Sequence, residues 1–190
     1  MLELVSKART IRRFDTSKTI TDADLMHVLE CARRVASAGN LQRLRYVTIN
    51  GEAAKSSFSN ISLGGFLPPE KKPTEAVAPT AYVVISSYTD EPEANLLIDV
   101  GISAEAMVLA AAEMGIAACM IRNFNKAHFT FEKEGKTAFP ILVIALGYPA
   151  ETAMAVDVND GESLKYYKND EDVNVVPKLM LEDLIFHKYD

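Results

Sequence analysis

DVGISAEAMVLAAAEMGI, residues 99–116, is the stretch that decides the fold. With the residues just before it, it predicts one long helix from about Glu93 to Met114. Leu97, Ile98, Ile102, Met107, Val108 and Ala111 make it apolar on most faces, as expected for a helix buried inside a domain. Gly101, Ser103, Ala104 and Ala110–Ala112 are small enough to let neighbours pack closely. Gly115 ends it. The apolar run around 96–121 is broken by Asp99, Ser103, Glu105 and Glu113, which argues for a core helix plus a strand and against a membrane span.

Working outward, Ala117–Ile121 has the composition of a strand, 126–136 is expected to be helical, and Ile141–Leu146 is a continuous apolar strand buried on both faces. Gly147-Tyr148-Pro149 stops it. The charged tail, 150–190, carries a possible strand at Val173–Val176 and a short helix at Leu181–Ile185. Upstream, residues 2–8 form a short helix. Thr21 and Asp24 resemble a capping box, opening a helix with the apolar stripe Leu25, Val28, Leu29, Ala32, Val35 and Ala36, which Gly39 is placed to end. Tyr46–Ile49 and Ala81–Ser86 are strands, Asn50-Gly51 is a turn, 52–58 is a weak helix, and SLGGFLPPEKKP opens an irregular loop. Strands and helices mix without strict alternation, so the class is α+β, one domain over 1–190 with one small sheet among several helices.

Composition narrows the function. The chain has 190 residues, is 48% hydrophobic and carries a net charge of −6, which argues against nonspecific nucleic-acid binding. Seven of the eight arginines nevertheless lie in the first 45 residues, a local +4 against −10 for the remainder. There is no apolar leader at the start, and Cys31 and Cys119 stand alone, as free thiols in a reducing cytoplasm would. His27, His128 and His187 lack metal-site spacing. No dinucleotide fingerprint, Walker A sequence or GxSxG motif occurs.

Two segments carry candidate chemistry. In ARTIRRFD (8–15), Arg9, Thr10 and Arg12 combine guanidinium forks with a hydroxyl, which suits a phosphate monoester; a solvated basic patch is the other reading. In VASAGNLQRLRYV (35–47), Asn40 and Gln42 offer paired donors and acceptors for a heterocycle edge, and Ser37 and Ala38 let a flat ring approach the backbone; a polar helix terminus is the other reading.

RTIRRFD, SAGNLQ about 25 residues later, DVGISAEAMVLAAAEMGI, FPILVIALGYP and VPKLMLEDLI together resemble, in order and spacing, the nitroreductase family in its short form. The resemblance covers about Leu4 to Ile185. It implies a mixed, mainly antiparallel central sheet flanked by helices and an intertwined homodimer. FMN would lie at the dimer interface, and the C-terminal arm, about 150–190, would embrace the partner. Arg9, Thr10 and Arg12 would hold the phosphate and ribityl chain, with Lys178 adding charge. Ser37, Ala38, Asn40 and Gln42 would approach the flavin bound mainly by the other subunit. The loop Ile121–Asn125, with Arg122 and Asn123, would pass a backbone N–H near flavin N5. NADH or NADPH would give hydride to N5 and be replaced by a nitroaromatic, quinone or related small-molecule acceptor. No catalytic side chain and no metal are then needed.

The sequence also departs from the family pattern. Ala8 and Leu179 stand where arginines are usual, and each lost charged hydrogen bond is worth roughly 1.5–3 kcal/mol. Arg43-Leu44 replace the usual Pro-Trp, and Arg122-Asn123 replace small residues. Arg13 or Arg43 are candidates to compensate. Two functions follow: an FMN-dependent NAD(P)H oxidoreductase, or a flavin-binding or flavin-free homologue serving as a binding or structural dimer. The loop 61–73, carrying Phe66, is either a lid over the ring or a plain surface loop.

Overall fold

The structure is a computed structural model that describes residues 1–64 and 67–189. Its centre is an antiparallel sheet in the order β1 (Arg45–Asn50), β2 (Ala81–Ser87), β5 (Lys136–Gly147), β3 (Ala117–Ile121), with β4 (Phe131–Lys133) pairing the start of β5. Every residue of β2 is buried, because strands cover both its edges and packing covers both its faces. The period-2 alternation sorts its side chains into two cores. Val83 and Ile85 face the helices with Leu142, Ile144 and Ala118, whereas Tyr82 and Val84 face the other side with Val143, Ala145, Cys119 and Ile121.

The first face is covered by α2 (Asp22–Arg33) and α4 (Ala94–Glu113). The capping box at Thr21 and Asp24 is present, with each side chain bonded to the other residue's backbone N–H. Leu25, Val28 and Ala32 are buried as the periodicity requires. The helix stops at Arg33, six residues before Gly39, so Val35 and Ala36 leave the helical stripe. α4 is long and apolar enough to cross a membrane by length and composition, but it packs here on α2 and the sheet, with Leu96, Val100, Ala104, Met107 and Ala111 in the core. Leu97, Ile98 and Ile102 of the same helix stay exposed on the single chain.

The helix expected over 126–136 is not formed. Lys126–Phe129 is a turn, and Glu134 (φ +53°) and Gly135 (φ +73°) make a two-residue turn between β4 and β5. Positive φ at both central residues is the type I′ geometry whose twist matches a hairpin, and Gly135 supplies it without steric cost. Asn50 closes β1 and directly precedes the helix α3 (Gly51–Ser57) instead of opening a plain turn.

After β5 the chain adds a small second sheet that sequence patterning missed in part: β6 (Ala153–Val158) runs parallel to β8 (Asn174–Leu179), which pairs antiparallel with β7 (Tyr167–Lys168). A short helix, α5 (Leu181–Leu184), follows. At the other end, α1 (Leu2–Lys7) leads into an extended segment wedged between the edge strand β3 and the residues after β5. There Thr10 bridges Ala118 in parallel, Phe14 bridges Pro149, and Asp15 N–H donates to Tyr148 O at 2.9 Å.

Candidate functional site

The fold divides the candidate residues into two groups. The first gathers around the edge of β3. Thr10 bridges Ala118 and Phe14 bridges Pro149, so Arg12 lies near the start of β3, whereas Arg122 and Asn123 follow the strand's other end. The Arg12 guanidinium lies 5.1 Å from the centre of the Tyr166 ring, a cation–π contact. Arg9 turns back so that Nη2 donates to Val5 O, while its buried Nε has no partner among the described residues. Lys7, Ala8, Arg9 and Ile11 line a cleft of about 350 Å³ with the C-terminal end of α4 (Val108, Ala112), the start of β3 and residues 149–153. Cations at one side and small apolar walls on the others suit a flat amphiphile with an anionic end. Lys178 is exposed on β8, four residues beyond Asn174 and about 13 Å along the strand.

One residue that sequence reasoning missed controls this group. The Glu151 side chain, 5% exposed, accepts the backbone N–H groups of Arg12 (2.6 Å) and Arg13 (3.2 Å) through Oε1. Its Oε2 accepts Asn174 Nδ2 at 2.8 Å and stands 4.0 Å from Arg13 Nε. The backbone N–H groups of residues 12 and 13 are therefore taken by the chain's own carboxylate and not offered to an outside anion. No local signal marks Glu151, whose partners lie up to 139 residues away. Cys119 sits beneath on β3. Burial pushes its thiol up to about 11; Arg12 opposes that shift and Glu151 reinforces it.

The loop at Asn123 is clamped. Asn125 N–H and Nδ2 donate to Asn60 O (2.8 Å) and Oδ1 (3.0 Å), and Ser62 N–H donates to Asn123 O at 2.9 Å. Arg13 Nη2 donates to Lys71 O at 3.0 Å, so the segment considered as a lid is tied near both of its ends. Phe66 lies outside the described residues.

The second group lies elsewhere. Gly39 (φ +56°), Asn40 (+53°) and Gln42 (+48°) are all left-handed, a conformation that costs a non-glycine residue about 1–3 kcal/mol. What holds the loop is Asp99, in the first turns of α4. It is 2% exposed, and its Oδ1 accepts Ala38 N–H at 2.8 Å. The other oxygen, Oδ2, is buried without a partner among the described residues, beside a cavity of about 160 Å³ lined by Ser37, Gln42, Arg45, Tyr46 and Ser103. A lone aspartate in an apolar helix was the legible sign of such a partner. Ser37 Oγ accepts Gln42 N–H at 3.3 Å, and Gln42 Nε2 donates to Asn40 Oδ1 at 3.1 Å. The two amides thus bond each other and keep one donor (Asn40 Nδ2) and one acceptor (Gln42 Oε1) for something outside. On α4 the second cavity is lined by Asp99 and Ser103 and the first cleft by Val108 and Ala112, so the two linings are centred about 14 Å apart along the helix.

Comparison with known proteins decides the family: the Nitroreductase family model matches residues 5–148. The chain belongs to the nitroreductase family. No curated protein matches it. Among solved structures, this nitroreductase-family chain is similar to a protein from Desulfovibrio desulfuricans in complex with FMN (16% identity, TM-score 0.64, 100% of this chain and 96% of that one). It is also similar to family members from Streptococcus pneumoniae (19%, TM-score 0.63, 80% and 91%) and Clostridium novyi NT (18%, TM-score 0.61, 93% of both). The expected nitroreductase α+β fold, with its antiparallel sheet and helices, is the observed one.

Proposed function

We propose that this nitroreductase-family chain is an FMN-dependent oxidoreductase that takes reducing equivalents from NADH or NADPH and delivers them to a nitroaromatic, quinone or related acceptor. The observation that carries this reading is that two complementary half-sites line different stretches of α4. One offers cations and a cleft; the other offers small residues and a free amide donor and acceptor. Two chains packed through the exposed Leu97, Ile98 and Ile102 would bring one chain's first group to the other's second. Burying those three side chains would contribute a few kcal/mol. The FMN carried by the Desulfovibrio desulfuricans protein supports the choice of cofactor.

The donor set fits FMN. Arg9, with its orphaned buried Nε, Thr10 and Arg12 would hold the phosphate and ribityl chain, with Lys178 adding positive charge. Ser37, Ala38, Asn40 and Gln42 of the second subunit would frame the ring edge. Arg122 and Asn123, on the loop pinned by Asn60, would offer backbone N–H groups on the ring's other side. When bound, the flavin supplies reversible hydride transfer at N5, with donor and acceptor occupying the same face in turn. The protein binds and orients the ring, limits water around it and sets positive charge near it. Of the C-terminal arm, Leu181–Tyr189 is the part free to reach a partner, since Leu181, Leu184, Phe186 and Tyr189 are exposed. The free thiols Cys31 and Cys119 fit a cytoplasmic protein.

A non-catalytic binder is the second reading. It is favoured by Ala8 and Leu179 at usual arginine positions and by Glu151 filling the 12–13 backbone. The experiment is to load FMN, remove the excess, and follow flavin absorbance under anaerobic NADH and then NADPH. Bleaching by either donor, followed by reoxidation with a quinone, is expected. Retained flavin that neither donor bleaches favours the binder, and no retained flavin refutes both flavin readings.

A further inference from the structure

Three guanidiniums, those of Arg9, Arg12 and Arg13, belong to one five-residue segment beside β3. Left to themselves they repel one another and splay into solvent. Glu151 is the buried carboxylate placed among them. It holds the backbone of residues 12 and 13 through one oxygen, and through the other it stands near Arg13 Nε and accepts Asn174 Nδ2 at the start of β8. The consequences differ for the three arginines. Arg13 is drawn toward Glu151 and reaches Lys71 O. Arg12 is left to project against Tyr166. Three guanidiniums and one carboxylate leave two net positive charges, which match the roughly −1.5 to −2 of a phosphate monoester at neutral pH. Successive backbone N–H groups commonly form an anion nest. Here the N–H groups of residues 12 and 13 are filled from within by Glu151, which leaves the arginine side chains to grip a phosphate.

We infer that Glu151 is a positioning residue for phosphate recognition: it fixes the 12–13 backbone and sequesters Arg13, so that Arg12 and Arg9 present the anion grip, and it makes that grip depend on the C-terminal sheet through Asn174. This rests on the FMN reading above and adds a residue that does not itself touch the cofactor. A purely structural Glu151 would affect every ligand alike, whereas a positioning role is selective for the phosphate.

The test compares FMN, riboflavin and inorganic phosphate binding in wild type, Glu151→Ala and Asn174→Ala. Glu151→Ala is expected to weaken FMN about tenfold or more, the loss of one good hydrogen bond, with riboflavin changed by less than about threefold. Millimolar formate, a carboxylate small enough for the vacated nest, should restore FMN binding. Asn174→Ala should shift FMN in the same direction by less, and it serves as the readout if Glu151→Ala does not fold. Equal losses of FMN and riboflavin, or unchanged FMN affinity in both variants, overturn the inference while leaving the FMN reading intact. Wild type that binds riboflavin as tightly as FMN, and does not bind phosphate, overturns the inference together with the phosphate roles of Arg9, Thr10 and Arg12; wild type that binds no flavin overturns the flavin reading as well.

Discussion

Gly147, the last residue of β5, faces Phe14 so closely that a Cβ there would stand 2.7 Å from Phe14 Cδ1, 3.0 Å from Cγ and 3.1 Å from Cβ. Ordinary carbon contacts begin near 3.5 Å, so Gly147→Ala requires about 0.8 Å of relative movement. Phe14 cannot yield by swinging its ring, because it is 0% exposed and its own Cβ is among the clashing atoms. Its backbone is fixed as well, by Phe14 N–H donating to Val77 O at 3.0 Å and by the bridge to Pro149. Overpacking of this kind costs about 1–3 kcal/mol, and the rigid surroundings put this case in the upper half. At roughly 2–4 °C per kcal/mol for a domain of this size, Tm should fall by about 4–12 °C. The assay is urea and thermal unfolding of wild type, Gly147→Ala, Phe14→Ala and the double variant. Phe14→Ala removes the Cγ and Cδ1 atoms that clash, so the pair should be coupled by about 1 kcal/mol or more. Because Phe14 is two residues from Arg12, Gly147→Ala should also weaken FMN binding. A wild-type Tm for Gly147→Ala, or strict additivity in the cycle, would refute the reasoning.

Asp99→Ala removes the acceptor of Ala38 N–H and should cost about 1–3 kcal/mol in urea unfolding, whereas Asp99→Asn keeps that acceptor and should cost less; the reverse order would contradict the role given to Asp99. Cys119 is neutral and buried, so the stability it contributes is present below about pH 9 and lost as pH rises to about 11; wild type should lose its advantage over Cys119→Ala across that window, which pH-resolved denaturation measures. In a native thiol titration the half-buried Cys31 should react well before Cys119, and equal rates would contradict the burial of Cys119. Arg12→Ala should weaken FMN far more than riboflavin in fluorescence titration, and equal losses would remove Arg12 from the phosphate site. Light scattering should report twice the mass of the chain, and a monomer that still holds FMN tightly would contradict a site shared between subunits.

What the sequence determined by itself was what local periodicity encodes. The stripe of α2 and its Thr21–Asp24 cap, the apolar length of α4, the continuous strands β2 and β5, and the breaks at Gly115 and Gly147 are statements about neighbours within one turn or one pleat. The order of short motifs along the chain carried the family. The end of α2 at Arg33 was not legible, because the loop with its left-handed Gly39, Asn40 and Gln42 is held by Asp99, 61 residues away from Ala38. The β4–β5 hairpin was misread because KEGK carries only one glycine, and Glu134 adopts positive φ under the constraint of strand pairing. Tertiary structure alone revealed that Glu151 holds the backbone of Arg12 and Arg13, that the two amides of the 40–42 loop bond each other, and that the two cavities line different stretches of one helix. Each of these is a contact between distant segments, set by how the sheet brings its edge strand, its covering helix and its C-terminal extension together. A linear pattern records which groups are available; only the packed chain fixes which of them meet.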